Sequence, residues 1–313
     1  MATPDPRRIV IALGGNALEG APGDVHAQAA AARRAFIGLS PLLDAPHLLI
    51  THGNGPQVGN LLLRVEAPIR GHALPPLPLD TCVADTIGGL GYLLTRELRS
   101  VLGSGRSQRP VAAIITTTVV GSLDGAPRKP IGSTWQPQDR AMLESRGWEV
   151  REDVTGALRR VVPSPSPVDI LEIDVIRQLF DAGVAVVAGG GGGVPVRWAD
   201  EGFWVGVEAV VDKDLVAAIL AAEVEAELLM ILTDVEQAYV GFRSSEERPL
   251  GDIGVRHLRA LHAGGAFGEG SMAPKVEAAC RFVESGGGRA VICHLDRALQ
   301  GIAGTSGTQV TAA

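Results

Sequence analysis

Six short runs along the chain are apolar on both faces: Ile9 to Leu13, His47 to Thr51, Val111 to Thr117, Val184 to Ala188, Leu228 to Thr233 and Arg289 to Cys293. A strand with no polar face must be covered on both sides, as in a parallel sheet sandwiched between helices. Ala- and Leu-rich stretches of helical period lie between these runs, and the pattern predicts helices over Ala27 to Leu39, Gln57 to Glu66, Thr86 to Leu102, Ile170 to Ala182, Asp214 to Glu223 and Lys275 to Gly286. The class is therefore α/β with a central, mainly parallel sheet.

One stretch breaks the alternation. Ser122 to Val161 is polar, carries Trp135, Trp148 and three prolines, and reads as an inserted hairpin or lid. Its return, RRVVPSPSPVDI from Arg159, places prolines at alternate positions, which favours an extended hinge before the helix predicted at Ile170. The two tryptophans are read as packing for the insertion rather than as stacking platforms.

Composition narrows the function. A length of 313 residues accommodates one large domain or two lobes, and 46% hydrophobic with 20% charged residues is a globular balance. The formal net charge is −7 and no basic run is interleaved with aromatics, so nucleic acid is not an expected partner. The apolar runs are too short to span a bilayer or to serve as a secretory leader, so no membrane partner is expected and a cytoplasmic location is. Cys82, Cys280 and Cys293 show no C-x-x-C spacing, in keeping with reduced, buried thiols. The seven histidines have no paired spacing, and no protein-ligated transition metal is expected.

The cations are uneven. Against 25 arginines stand three lysines, Lys129, Lys213 and Lys275, each inside a Gly- or Pro-marked motif. A compact ammonium is not replaced by a planar guanidinium. Lysines retained in an Arg-preferring chain mark places that need a point charge, and phosphate is the natural object. Five strand exits carry LGGNAL, THGNGPQVGN, AGGGGGVPV, VDKD and GSMAPK. Ligands of open parallel sheets bind beyond the carboxyl ends of strands, where glycine backbone N–H groups can cradle phosphate. Gly14, Gly15, Gly53, Gly55, Gly190, Gly191 and Gly192 are the candidates. A P-loop is excluded because Arg128, Asp212 and Pro274 precede the lysines, and a dinucleotide fingerprint from Gly189 fails at Val194.

These blocks, with KPIG at Lys129, RRVVPSPSP, GVEAVVDKDL, ILTDVEQAY and the terminal GTSGTQV, resemble the carbamate kinases, a branch of the amino-acid kinase superfamily, in order from Ile9 to Val310. The resemblance implies a three-layer α/β/α sandwich, residues 1–205 forming an N-terminal carbamate and phosphoryl lobe with 122–161 as a protruding lid, and residues 206–313 forming a C-terminal nucleotide lobe. It also implies a homodimer, ATP/ADP with Mg²⁺, and reversible transfer between ATP and carbamate, with carbamoyl phosphate and ADP on the other side. Lys213 and Lys275 would hold the migrating phosphoryl group, Asp214 would orient them, and Lys129 would close from the lid. Gly14, Gly15, Asn16, Gly53 and Asn54 would bind the phosphoryl and carbamate end, with Gly190 to Gly192. Asp234, Tyr239, Met272 and Pro274 would lie at the nucleotide. Carbamate is already an anion, so no general base is required.

The residues themselves leave plainer roles open. Asp212 and Asp214 could cap the helix that follows them, Lys129 could be a solvated loop charge, and His52 reads as a satisfied loop-edge histidine. Two places depart from the family: Thr86, Ile87 and Gly88 stand where Ser-Gln-Gly is usual, and Ser133, Thr134 and Trp135 follow KPIG in place of an aromatic pair. A kinase of another small carboxylate, or a nucleotide-binding regulator without turnover, are the alternatives.

Overall fold

Eight strands hydrogen-bond into one sheet, in the order Asp252–Gly254, Thr308–Thr311, Arg289–His294, Leu228–Thr233, Arg8–Leu13, His47–His52, Ala185–Val187 and Val111–Ala113. The computed structural model describes residues 6–14, 24–66, 77–103, 109–153, 155–268 and 270–312. From Arg289–His294 to Val111–Ala113 every neighbouring pair is parallel, and Thr308–Thr311 is antiparallel to Arg289–His294. The strand Arg8–Leu13 sits near the middle, paired on one side with His47–His52 and on the other with Leu228–Thr233.

Successive side chains of a strand point to opposite faces, and the central strand fills two cores this way. Ile9, Ile11 and Leu13 join Phe36, Ile50, Leu94 and Leu98 beneath the helices Val25–Gly38 and Leu79–Gly103. Val10 and Ala12 face Phe180, Val216, Leu220 and Phe282 from the helices Ile173–Asp181, Lys213–Glu223 and Met272–Glu284. Helices on both faces of a sheet give three layers, as the apolar runs imply.

Three sequence expectations shift. The run Val111 to Thr117 is not one strand: the main-sheet strand ends at Ala113, and Thr117–Val120 belongs to a second sheet with Trp204–Gly206, Val194–Trp198 and Pro167–Ile170. The helix expected from Ile170 begins at Ile173, because Ile170 ends a strand paired with Thr118. The helix expected from Thr86 begins at Leu79, where Leu79, Cys82, Val83 and Ile87 pack with Val58, Leu62, Ile131 and Val162.

The insertion forms its own three-stranded sheet from Arg128–Trp135, Leu158–Pro163 and Val150–Glu152, with a short helix Arg140–Ser145. Leu143, Val150 and Leu158 make a small core against Trp135 and Trp148, whose rings meet edge to face at 6.5 Å. The tryptophans are packing, as read. Among the described residues no helix is long and apolar enough to cross a membrane.

Candidate functional site

The helix Lys213–Glu223 starts where it does because Asp212, with extended backbone, accepts a hydrogen bond on its side chain from the Asp214 N–H at 2.9 Å. The Ala- and Leu-rich sequence after it carries the helix onto the sheet and against Met272–Glu284. That packing brings three side chains together. The Lys213 ammonium donates to Asp214 Oδ1 at 2.6 Å, and the Lys275 ammonium to Asp214 Oδ2 at 2.8 Å. One carboxylate thus holds two cations, and its side chain is only 4% exposed.

Burial alone would raise the Asp214 carboxyl, but the charges and hydrogen bonds of Lys213 and Lys275 override it and hold the group far below the usual carboxylate range. Burial would lower Lys275, yet Asp214 outweighs that and leaves it raised. Lys213 comes out lowered, by burial first and by repulsion from Lys275, with Asp214 offsetting only part. A single carboxylate does not neutralise two ammoniums. The third lysine arrives from the insertion: Lys129, on the strand Arg128–Trp135, pairs with Asp212 Oδ2. Three lysines against two aspartates leave one net positive charge in the cluster.

The glycine-marked strand exits border this cluster. Gly14 follows the central strand, and a Cβ there would lie 3.1 Å from the Leu232 carbonyl oxygen. The Gly53 N–H donates to the Leu13 carbonyl at 3.2 Å, tying two strand exits together. The run Gly189 to Gly193 is largely buried and threaded among side chains. Gly191 shows why glycine is needed: its φ is +62°, and a Cβ would lie 2.2 Å from the Asn54 amide carbon. Gly190 lies against the His52 ring and Gly192 against the Val211 carbonyl, two residues before Lys213. The Gly192 N–H is used internally, on the Gly189 carbonyl at 3.0 Å. Gly15 and Asn16 lie outside the described residues.

His52 ends its strand, is 1% exposed, and donates from Nδ1 to the Gly53 carbonyl at 3.2 Å. Burial pushes its pKa down to about 4, with the Gly53 hydrogen bond opposing and the nearby Lys213 charge adding. It is a neutral, structural imidazole, buried at a strand end. On the other half of the sheet, Asp234 follows the strand Leu228–Thr233, accepts from the Thr233 hydroxyl at 3.1 Å, and its charge reaches Lys275. Met272 and Pro274 lie in the first turn of the Lys275 helix, Met272 packing against the larger buried core. Tyr239 belongs to a short hairpin, its ring 5.7 Å from that of Phe242.

Sequence reasoning missed the threonines that hold this floor. Thr86 Oγ1 donates to the Val83 carbonyl, so it accepts from Asn54 Nδ2 at 2.9 Å and fixes the orientation of that amide. Thr51 and Thr118 donate to the Gly189 and Gly192 carbonyls, and Thr116 accepts from the Gly189 N–H, each at 2.8 Å. The only sequence signal was compositional, a run of three threonines from Thr116 to Thr118 and, far along the chain, a run of five glycines from Gly189 to Gly193.

The sequence profile of the amino acid kinase family matches residues 7–294. The chain is 42% identical to the carbamate kinase of Pyrococcus horikoshii, over 98% of this chain and 99% of that one. It is 44% identical to the carbamate kinase of Thermococcus kodakarensis, over 97% and 99%. Among solved structures, a Giardia lamblia carbamate kinase bound to AMP-PNP superposes with a TM-score of 0.87 at 33% identity, covering 97% of this chain and 98% of that one.

Proposed function

The chain belongs to the carbamate kinases of the amino acid kinase family, and from that premise we propose that it moves a phosphoryl group reversibly between ATP and carbamate. The observation that supports this most directly is the Lys213–Asp214–Lys275 triad facing a third lysine from the lid. Phosphoryl transfer is chiefly positioning and charge stabilisation, and a preorganised cationic cluster with glycine-lined walls supplies both.

In this reading Lys213 and Lys275 hold the transferring oxygens, and Asp214 keeps their ammoniums at fixed separation. Lys129 closes over the acceptor. Gly14, Gly15, Asn16, Gly53, Asn54 and Gly190 to Gly192 bind the phosphoryl and carbamate end on the 1–205 side. Asp234, Tyr239, Met272 and Pro274 serve ATP or ADP on the 206–313 side. Carbamate attacks as the anion it already is, and the lid at 122–161 keeps water from carbamoyl phosphate.

Among the described residues no group of three or more His, Cys, Asp or Glu side chains is placed to hold a metal. Asp212 and Asp214 are committed to lysines, so these residues suit a Mg²⁺ carried on the nucleotide phosphates rather than caged by protein. The ion would neutralise phosphate charge there. Cys82, Cys280 and Cys293 are free and buried, which fits a cytoplasmic location. The exposed apolar side chains of Tyr92, Ile115, Val168 and Leu171 are candidates for the face of a homodimer.

A second reading, transfer to another small carboxylate, draws on a cavity of about 220 Å³ lined by His52, Ile87, Gly88, Gly91, Ile115 and Gly190, which has space beside the acceptor loops. The experiment is ATP formation from ADP and Mg²⁺ with carbamoyl phosphate, run beside acetyl phosphate. Rapid ATP formation from carbamoyl phosphate alone supports the first reading. A preference for acetyl phosphate favours the second, and no turnover with either from a folded, nucleotide-binding protein overturns the first.

A further inference from the structure

We propose that Asp212 is a positioning residue that couples the lid to the phosphoryl-binding helix, its two oxygens divided between the two. Oδ1 accepts the Asp214 N–H at 2.9 Å, and Oδ2 takes the Lys129 ammonium. Helix capping needs only the first. A Ser, Thr or Asn would provide it equally well, so capping alone does not account for a carboxylate whose second oxygen is paired with a lysine from the insertion, 83 positions away in sequence.

The path around Asp212 supports the same role. The Glu208 side chain takes Arg160 of the lid at 2.7 Å and the Leu79 N–H at 2.9 Å. The Val210 N–H then donates to the Pro163 carbonyl, where the lid strand Leu158–Pro163 ends. Asp212 reaches Lys129, which faces Val162 across the hairpin. Lys213 and Asp214 follow at once. Residues 208–214 are therefore stitched to the lid at three successive points and continue without a break into the helix that bears the triad. A shift of the lid is transmitted to Lys213 and Asp214 along this strap.

Lys129 has three donors and is 37% exposed, so Asp212 occupies one N–H and leaves others for an anion. Asp212 aims the lysine rather than withdrawing it. The inference rests on the proposed reaction for its kinetic consequence, but not for its structural one.

The test compares wild type, Asp212→Asn, Lys129→Ala and the double variant. Asparagine keeps the cap and the shape and removes the charge, so the melting temperature of Asp212→Asn should stay near wild type. With carbamoyl phosphate and ADP, kcat/KM should fall about 100-fold, the scale of a misplaced catalytic group, and adding Asp212→Asn to Lys129→Ala should cost nothing further. Backbone hydrogen exchange across 128–135 should quicken about tenfold in Asp212→Asn as the pair that closes the lid is lost. Multiplicative losses in the double variant, or lid exchange identical to wild type, would overturn the proposal. If wild type shows no turnover, the assigned reaction fails while the exchange comparison still decides the role of Asp212.

Discussion

Gly59 and Gly132 meet backbone to backbone where the lid rests on the helix Gly55–Glu66: a Cβ on Gly59 would lie 3.2 Å from the Gly132 Cα. Gly132 itself is held at φ +66°. The lid strand can approach the helix this closely because Gly59 lacks a side chain, while Gly132 owes its glycine to the left-handed backbone. Gly59→Leu should therefore lift the lid, lowering kcat/KM for carbamoyl phosphate by about 10- to 100-fold while leaving the KM for ADP nearly unchanged. Steady-state kinetics with each substrate varied in turn checks this, and Gly59→Ala should show a much smaller effect.

Lys213→Arg and Lys275→Ala should each reduce kcat by about 100-fold or more, the usual loss for a removed charge stabiliser. The guanidinium is too broad for the pocket in which Lys213 shares Asp214 with Lys275. ADP binding, measured by calorimetry, should persist in both. Wild-type rates in the two variants would remove the triad from the mechanism.

His52 carries a pH signature. Its pKa falls from 6.5 to about 4 on folding, so between those values the unfolded chain binds a proton that the folded chain refuses. Stability therefore declines as pH falls through this window, by about 3 kcal/mol in full from this one group. Glu97 and Glu277, held low in the folded state, add their own loss only below about pH 4.5. Urea unfolding of wild type against His52→Asn should show a shallower slope in the variant between pH 6.5 and 5.

Arg109 ties two chain segments, residues 43–46 and Gly183, with one side chain. Its guanidinium donates to the carbonyls of Leu43, Ala45, Pro46 and Gly183 at 2.6 to 3.2 Å, although burial pushes its pKa down. Lysine keeps the charge but lacks the fork. Arg109→Lys should destabilise the fold by about 2 kcal/mol, the scale of lost charged hydrogen bonds, readable in chemical denaturation with activity intact at low temperature.

The buried middle of the sheet was legible because His47–His52 and Leu228–Thr233 are apolar on both faces and, at six residues, too short for a buried helix. The run Val111 to Thr117 misled for a physical reason: the chain changes sheets after Ala113, and a strand's side-chain period is the same on either side of such a switch. The Thr308–Thr311 and Asp252–Gly254 strands were invisible because three or four residues leave too little pattern. At the site, the scarcity of lysine singled out three residues that the fold gathers around Asp212 and Asp214. The pairing of Asp212 with Lys129, and of Thr86 with Asn54, joins segments far apart in sequence, and single-chain spacing carries no sign of such contacts.

The central strand Arg8–Leu13 is hydrogen-bonded on both edges, to residues 47–52 and to 228–231. Neighbouring strands stand about 4.8 Å apart, so the exits bearing Gly14, Gly53 and Asp234 are spaced like marks on a ruler. Under the proposed assignment of these exits, the gap between donor and acceptor is graduated by main-chain hydrogen bonds and not by any side chain. Natural variation can retune which molecules dock at the marks, but altering the reach of the transfer would require unzipping the sheet.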